Sequence, residues 1–133
     1  RMEAVRLKAG AAMGMGDVSQ SVTPKFGLLA PAKDGGTVCT RYFMPWTTHP
    51  SMAVTGSQCL ASCALTPGTV ADGLLERPAQ GPANVVLEHA SGTIEVLVDF
   101  ELTARSRRFD MRRRWRSGWA RMSRRCWPIA RTR

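Results

Sequence analysis

The chain is poor in histidine, tyrosine and lysine: of 133 residues two are His (His49, His89), one is Tyr (Tyr42) and three are Lys. No apolar run reaches the roughly 18–20 residues that a membrane helix needs, and nothing in the first hundred residues reads as a signal peptide. A glycine-rich phosphate loop, a paired-cysteine metal motif and a nucleophile elbow are all missing. The four cysteines (Cys39, Cys59, Cys63, Cys126) are irregularly spaced, with no histidines clustered around them. Cys59 and Cys63 stand at i, i+4, a helical spacing that disfavours a mutual disulfide and offers two metal ligands at most. A buried structural role is expected for them, and no metal site. Reduced thiols fit a cytoplasmic protein.

The formal charge of +9 invites a nucleic-acid reading, so its distribution matters. Residues 1–103 carry seven basic against nine acidic side chains, a net −2, whereas residues 104–133 carry twelve Arg against Asp110 alone, a net +11. The basicity therefore belongs to a tail. That tail also holds Trp115, Trp119 and Trp127, three of the four tryptophans, and no lysine. Three readings stay open: an arginine-rich nucleic-acid-binding arm, a disordered solvated tail, and GC-rich DNA translated out of frame. The composition of Arg, Trp, Ser, Gly, Cys and Ala without Lys fits the third best. Any polyanion binding by the arm is expected to be non-specific and steeply weakened by salt. Two units are thus expected, 1–103 as a partial domain and 104–133 as the tail.

Within the first unit, Met2 to Met13 is expected to be a helix closed at Gly14 or Gly16, with Val5, Ala9, Ala12 and Met13 along one side. Lys25–Ala30 and Thr37–Phe43 read as strands joined by the Asp34-Gly-Gly36 turn. Pro45 and Pro50 exclude regular structure between them. Ser51–Leu65 is helical in pattern and carries no charge, so enclosure by protein on every side is expected. Asn84–His89 and Thr93–Phe100 read as a hairpin, with His89 solvated beside its turn. Several strands and one apolar helix indicate an α+β fold, a β-barrel-like sheet wrapped around a central helix.

The local signal with most chemistry in it is His49-Pro-Ser-Met-Ala-Val-Thr-Gly-Ser57, which leads into the apolar helix. First-turn amides and the helix dipole favour an anion there, although Thr and Ser at such a place often only cap the helix. Glycine at position 56 is expected to let a carboxylate approach the backbone, so that Gly56→Val weakens binding while the fold survives. Lys25, at the mouth of an apolar strand, can hold an anion or stand as a solvated edge residue. His49 precedes the helix entrance and is the better placed of the two histidines.

Six segments occur in order: Met13-Gly-Met-Gly-Asp17, Thr23-Pro-Lys-Phe-Gly-Leu-Leu-Ala-Pro31, Arg41-Tyr-Phe-Met-Pro45, Thr48-His-Pro-Ser-Met-Ala-Val-Thr-Gly56, Pro67-Gly-Thr-Val70 and Glu88-His-Ala-Ser-Gly92. Together they resemble the second half of PrpF-family proteins over about residues 2–102. The resemblance implies half of a diaminopimelate-epimerase-like fold, incomplete here, whose partner is the missing first-half domain. It also implies cofactor-independent movement of a double bond in a small di- or tricarboxylate. The family's proton-transferring Lys and its Cys or Ser partner belong to the first half, so no catalytic residue is assigned. Substrate-binding residues carried over are Lys25, His49, Thr55, Gly56 and Ser57. The fragment alone is expected to be inactive. The competing classes are a small basic nucleic-acid-binding protein and an inactive remnant.

Overall fold

The structure, a computed structural model, describes residues 1–100 and the strand Arg112–Arg114. The remainder of the arginine-rich region, and with it the choice among its three readings, lies outside the described residues. In chain order the elements are α1 (Met2–Ala12), β1 (Phe26–Pro31), β2 (Val38–Met44), β3 (Thr47–Thr48), α2 (Val54–Leu65), β4 (Ala83–His89), β5 (Gly92–Asp99) and β6 (Arg112–Arg114). The class is α+β, as expected. One mixed sheet runs in the order β1-β2-β4-β5-β6, with β3 paired to β2. That order has two ends among the described residues, so barrel closure around α2 goes beyond it. No helix among the described residues is long and apolar enough to cross a membrane.

The strands fall where alternation placed them to within a residue or two, with two additions, β3 and, within the arginine-rich region, β6, which pairs antiparallel with β5. Between the two prolines, Thr47 and Thr48 pair with Met44 and Phe43, and the His49 amide continues the ladder by donating to the Tyr42 carbonyl at 2.9 Å. Proline restrains only its own position and the residue before it, and the residues between were free to pair.

Strand alternation then fixes which residues face α2. Val38 on β2, Val85 and Leu87 on β4 and Val98 on β5 join Ala61, Ala64 and Leu65 of α2 in one core. Ala61 and Ala64 have no exposed surface, so the helix approaches the sheet closely. Full burial of side chains such as Leu65 and Leu87 contributes about 1.5–3 kcal/mol each.

Both helices depart from expectation. On α1 the buried residues are Arg6 and Gly10, while Val5 is 49% and Met13 66% exposed. The cause is polar satisfaction. Arg6 makes two bonds to the Glu3 carboxylate and donates to the carbonyls of Val18, Ser21 and Thr23, so its guanidinium docks the helix on the following loop. On α2, Val54, Thr55 and Cys59 are exposed, so the uncharged helix is covered on one side rather than all round. The buried role expected of Cys59 fails with it; Cys63 is half-buried and Cys39 fully buried.

The joint that makes one sheet from two hairpins is short. β2 and β4 run parallel through only two register pairs, Val38↔Leu87 and Cys39↔Glu88. Glu88 sits at this joint with no exposed surface, and its carboxylate accepts from the amides of Lys33, Asp34 and Gly36 at 2.7–2.8 Å. A Cβ on Gly36 would lie 2.5 Å from Glu88 Cγ, so the turn closes on the carboxylate only because position 36 is glycine. Thr40 Oγ1 donates to the Glu88 carbonyl, and Val86 N–H donates to Thr37 Oγ1. Replacing Glu88 with Gln puts an amide NH₂ against donor N–H groups. Glu88→Gln is expected to lower stability by about 3 kcal/mol, because bonds to a charged acceptor are lost and buried amides stay unpaired. Urea unfolding followed by circular dichroism measures it.

Candidate functional site

α2 starts at Val54, three residues later than its sequence pattern suggested, and its N-cap is Ala53, with extended φ/ψ of −71° and 140°. Alanine has no side-chain acceptor, and the first turn contains no acidic residue. The first helical bond found here is from the Ser57 amide to the Ala53 carbonyl at 2.8 Å. The amides of Val54, Thr55 and Gly56 precede it and have no intrahelical acceptor, so the positive end of the dipole is neutralised by nothing in the helix itself.

The five sequence-nominated residues divide unequally. Thr55 is exposed on the first turn. Ser57 is buried and already committed: its amide bonds Ala53, and its hydroxyl donates to the Val54 carbonyl at 2.7 Å. Gly56 is buried because the helix lies on Tyr42. A Cβ there would stand 2.8 Å from the ring atoms Cε2 and Cζ. The glycine therefore answers first to packing, and Gly56→Val cannot leave the fold intact as expected. His49 meets the same tyrosine, its ring 6.0 Å from that of Tyr42 at 64°. Lys25 is exposed just before β1. Since β1 and β3 flank opposite edges of β2 (Phe43 pairs with both Phe26 and Thr48), Lys25 and His49 stand on opposite sides of that strand. The structure thus unites His49 with the α2 entrance through Tyr42 and leaves Lys25 apart from them.

Two residues outside the nominated set belong here. Tyr42 is the ring on which the helix entrance rests, and burial, then the neighbouring Cys59, push its phenol up from the ordinary value. His89, expected to be solvated, is 8% exposed. It ends β4 on the side occupied by Leu87 and Val85, next to the β2 strand. Burial, then His49 and Arg41, hold its imidazole below the ordinary value of 6.5. A period-two reading of β4 would have put His89 on the core face with Val85 and Leu87; the hairpin turn beside it pointed the other way. Among the described residues no group of three His, Cys, Asp or Glu side chains stands close enough to hold a metal ion.

Two outcomes follow. Gly56→Ala is expected to destabilise by about 2 kcal/mol through overpacking against Tyr42, although Gly→Ala inside a free helix stabilises by about 0.5–1 kcal/mol. The sign of the change in urea midpoint decides. For His89, the unfolded chain takes up a proton near 6.5 and the folded chain only at lower pH. Stability is therefore full above that value and falls as pH drops through it towards the folded value, by at most about 1.4 kcal/mol per pH unit. Glu3 and Asp17, whose carboxyls are held down by the Arg6 side chain and the Ser19 amide respectively, act only below 4.5 and 3.8. Urea unfolding between pH 7.5 and 5.5 should show the loss, and His89→Gln should flatten it.

The PrpF protein family profile matches residues 1–123, reaching about twenty residues past the stretch 2–102 over which the resemblance was drawn. The chain is 44% identical over 96 residues to YbhH of Escherichia coli strain K12, covering 72% of this chain and 27% of that one. It is 41% identical over 101 residues to the 4-oxalomesaconate tautomerase of Pseudomonas putida KT2440, covering 76% and 28%. The fold is similar to that in the crystal structure of a methylitaconate-delta-isomerase, with a TM-score of 0.64 at 21% identity, over 72% of this chain and 30% of that one. The chain thus spans under a third of the length of the relatives it matches. Matched over far more than half its length by that profile, the chain belongs to the PrpF family.

Proposed function

We propose that the chain supplies the carboxylate-binding side of a cofactor-independent isomerase that moves a double bond in a small di- or tricarboxylate. Membership of a family whose relatives are named isomerases and tautomerases gives the class of reaction. The observation within the chain that carries the reading is the uncapped, acid-free first turn of α2 beside His49 and Thr55. Moving a double bond between a carbon pair next to carboxylates passes through an enolate-like species, and donors fixed in place before the proton moves stabilise its charge. In this reading Thr55 and the first-turn amides hold a substrate carboxylate, and Lys25 adds positive charge from the other side of β2. Ser57 holds the turn in shape, because its own donors are taken. In this reading the proton-transfer groups belong to the part of the relatives' length that this chain does not span. Closure of the sheet into a barrel-like half around α2, which would cover Thr55 and Cys59 against the other half, is part of the same proposal.

A chimera tests it. Residues 1–100 are placed in the Pseudomonas tautomerase in place of the matched segment, and 4-oxalomesaconate turnover is followed by ultraviolet absorbance. The chain alone is expected to show no turnover and the chimera to show turnover. Thr55→Val is expected to raise KM by about tenfold, the worth of one bond to a charged acceptor. Turnover by the chain alone that is abolished by a substitution in it, or KM unmoved by Thr55→Val and Lys25→Ala together, overturns the reading.

A further inference from the structure

The two histidines sit in the same local device on different strands. His49-Pro-Ser51 and His89-Ala-Ser91 each turn so that the amide two residues on donates to the imidazole Nδ1, at 3.1 Å from Ser51 and 3.2 Å from Ser91. An Nδ1 that accepts a hydrogen bond leaves the proton of a neutral imidazole on Nε2, so each ring becomes a donor through Nε2. The two turns are tied together, for the Ser91 hydroxyl donates to the Pro50 carbonyl. The rings therefore share one neighbourhood although 40 residues separate them in the chain.

The third member is Tyr42. Its ring meets both the His49 ring and the Gly56 backbone, which places the cluster at the α2 entrance. His89 reaches the same place from β4: register continued one step past Cys39↔Glu88 sets it beside Thr40, two residues along β2 from Tyr42 and on the same face of the sheet. Among the described residues no hydrogen bond engages Tyr42 Oη or the Nε2 atom of either histidine. Tyr42 is 7% and His89 8% exposed. None of the three atoms is itself a buried orphan, for among the described residues Arg77 Nη2 alone is a buried side-chain nitrogen or oxygen without a partner. The polar tips of these largely covered rings therefore meet solvent, where a ligand can reach them.

We propose that Tyr42 Oη, His49 Nε2 and His89 Nε2 form a three-donor cradle for one carboxylate of the substrate, beside the open first-turn amides of α2. The proposal rests on the function proposed above and adds Tyr42 and His89 as substrate-positioning residues. The cradle binds by neutral donors carried on rings that packing already holds in place before a carboxylate arrives. The charged or titratable groups that face His89 are His49 from the segment after β3 and Arg41 from β2. Arg41 supplies positive potential without making a bond there.

All three donors belong to this chain, so the full 133-residue chain is the protein to test. The probe is tricarballylate, a tricarboxylate with no double bond to move, titrated at pH 7.5 into ¹⁵N-labelled protein with imidazole nitrogens observed by NMR. In the free protein both histidines should show the Nε2–H tautomer. Tricarballylate should shift both Nε2 signals along one saturating curve. Tyr42→Phe and His89→Leu should each weaken binding by about tenfold, with amide dispersion retained. His89→Gln, whose side-chain amide presents a donor near the Nε2 position, should bind within about threefold of the parent chain. If both Tyr42→Phe and His89→Leu bind as tightly as the parent while Thr55→Val weakens binding, the cradle is wrong and the carboxylate site stands. If the parent shifts neither imidazole at any tricarballylate concentration, the cradle and the carboxylate-binding reading fall together.

Discussion

A single buried carboxylate decides whether this chain is one sheet or two hairpins. Glu88 accepts three amides from the turn between β1 and β2, and its own carbonyl takes the Thr40 hydroxyl, all at a parallel joint two residue pairs long. Parallel pairing is slightly weaker per residue than antiparallel pairing, and two pairs cannot hold a sheet by ladder bonds alone. Side-chain bonds to charge, worth roughly twice a neutral bond, make up the difference. The next residue, His89, is fixed in place by the same joint. Structure and candidate chemistry are thus consecutive in the chain.

Local patterning carried most of the fold into view. Alternation located β1, β2, β4 and β5, and a run without charge located α2. What stayed hidden depends on contacts between residues distant in sequence. The α1 periodicity selected Val5 and Met13 as the inner side, but the docking surface of that helix is a loop of carbonyls, which an arginine satisfies and a valine does not. An absence of charge along α2 was read as enclosure, yet Thr55, Gln58 and Cys59 are uncharged and can meet water at little cost.

The candidate site was legible in its centre and illegible at its edges. The helix entrance and His49 were visible because they are adjacent in sequence. Tyr42 reads as an ordinary strand aromatic until Gly56 is seen lying on it. His89 reads as a turn residue until the parallel joint brings it beside β2. Lys25 moved the other way: adjacency to an apolar strand suggested a place in the site, and the strand order put it across β2 from His49. Position along one strand can be read from a sequence, but neighbours across strands require the register.

The parallel joint also orders events in time. The hairpins β1-β2 and β4-β5 close over short turns, whereas the joint brings together Thr37 and Val86, which are 49 residues apart. Closing the longer loop costs more chain entropy and comes after the local pairings. Tyr42 and His49 belong to one side of that closure and His89 to the other, so the two-sided arrangement of rings exists only once this long-range joint has formed. A molecule that recognises all three rings recognises the finished fold and no intermediate with a single hairpin. Its binding energy is then added wholly to the native side of the folding equilibrium.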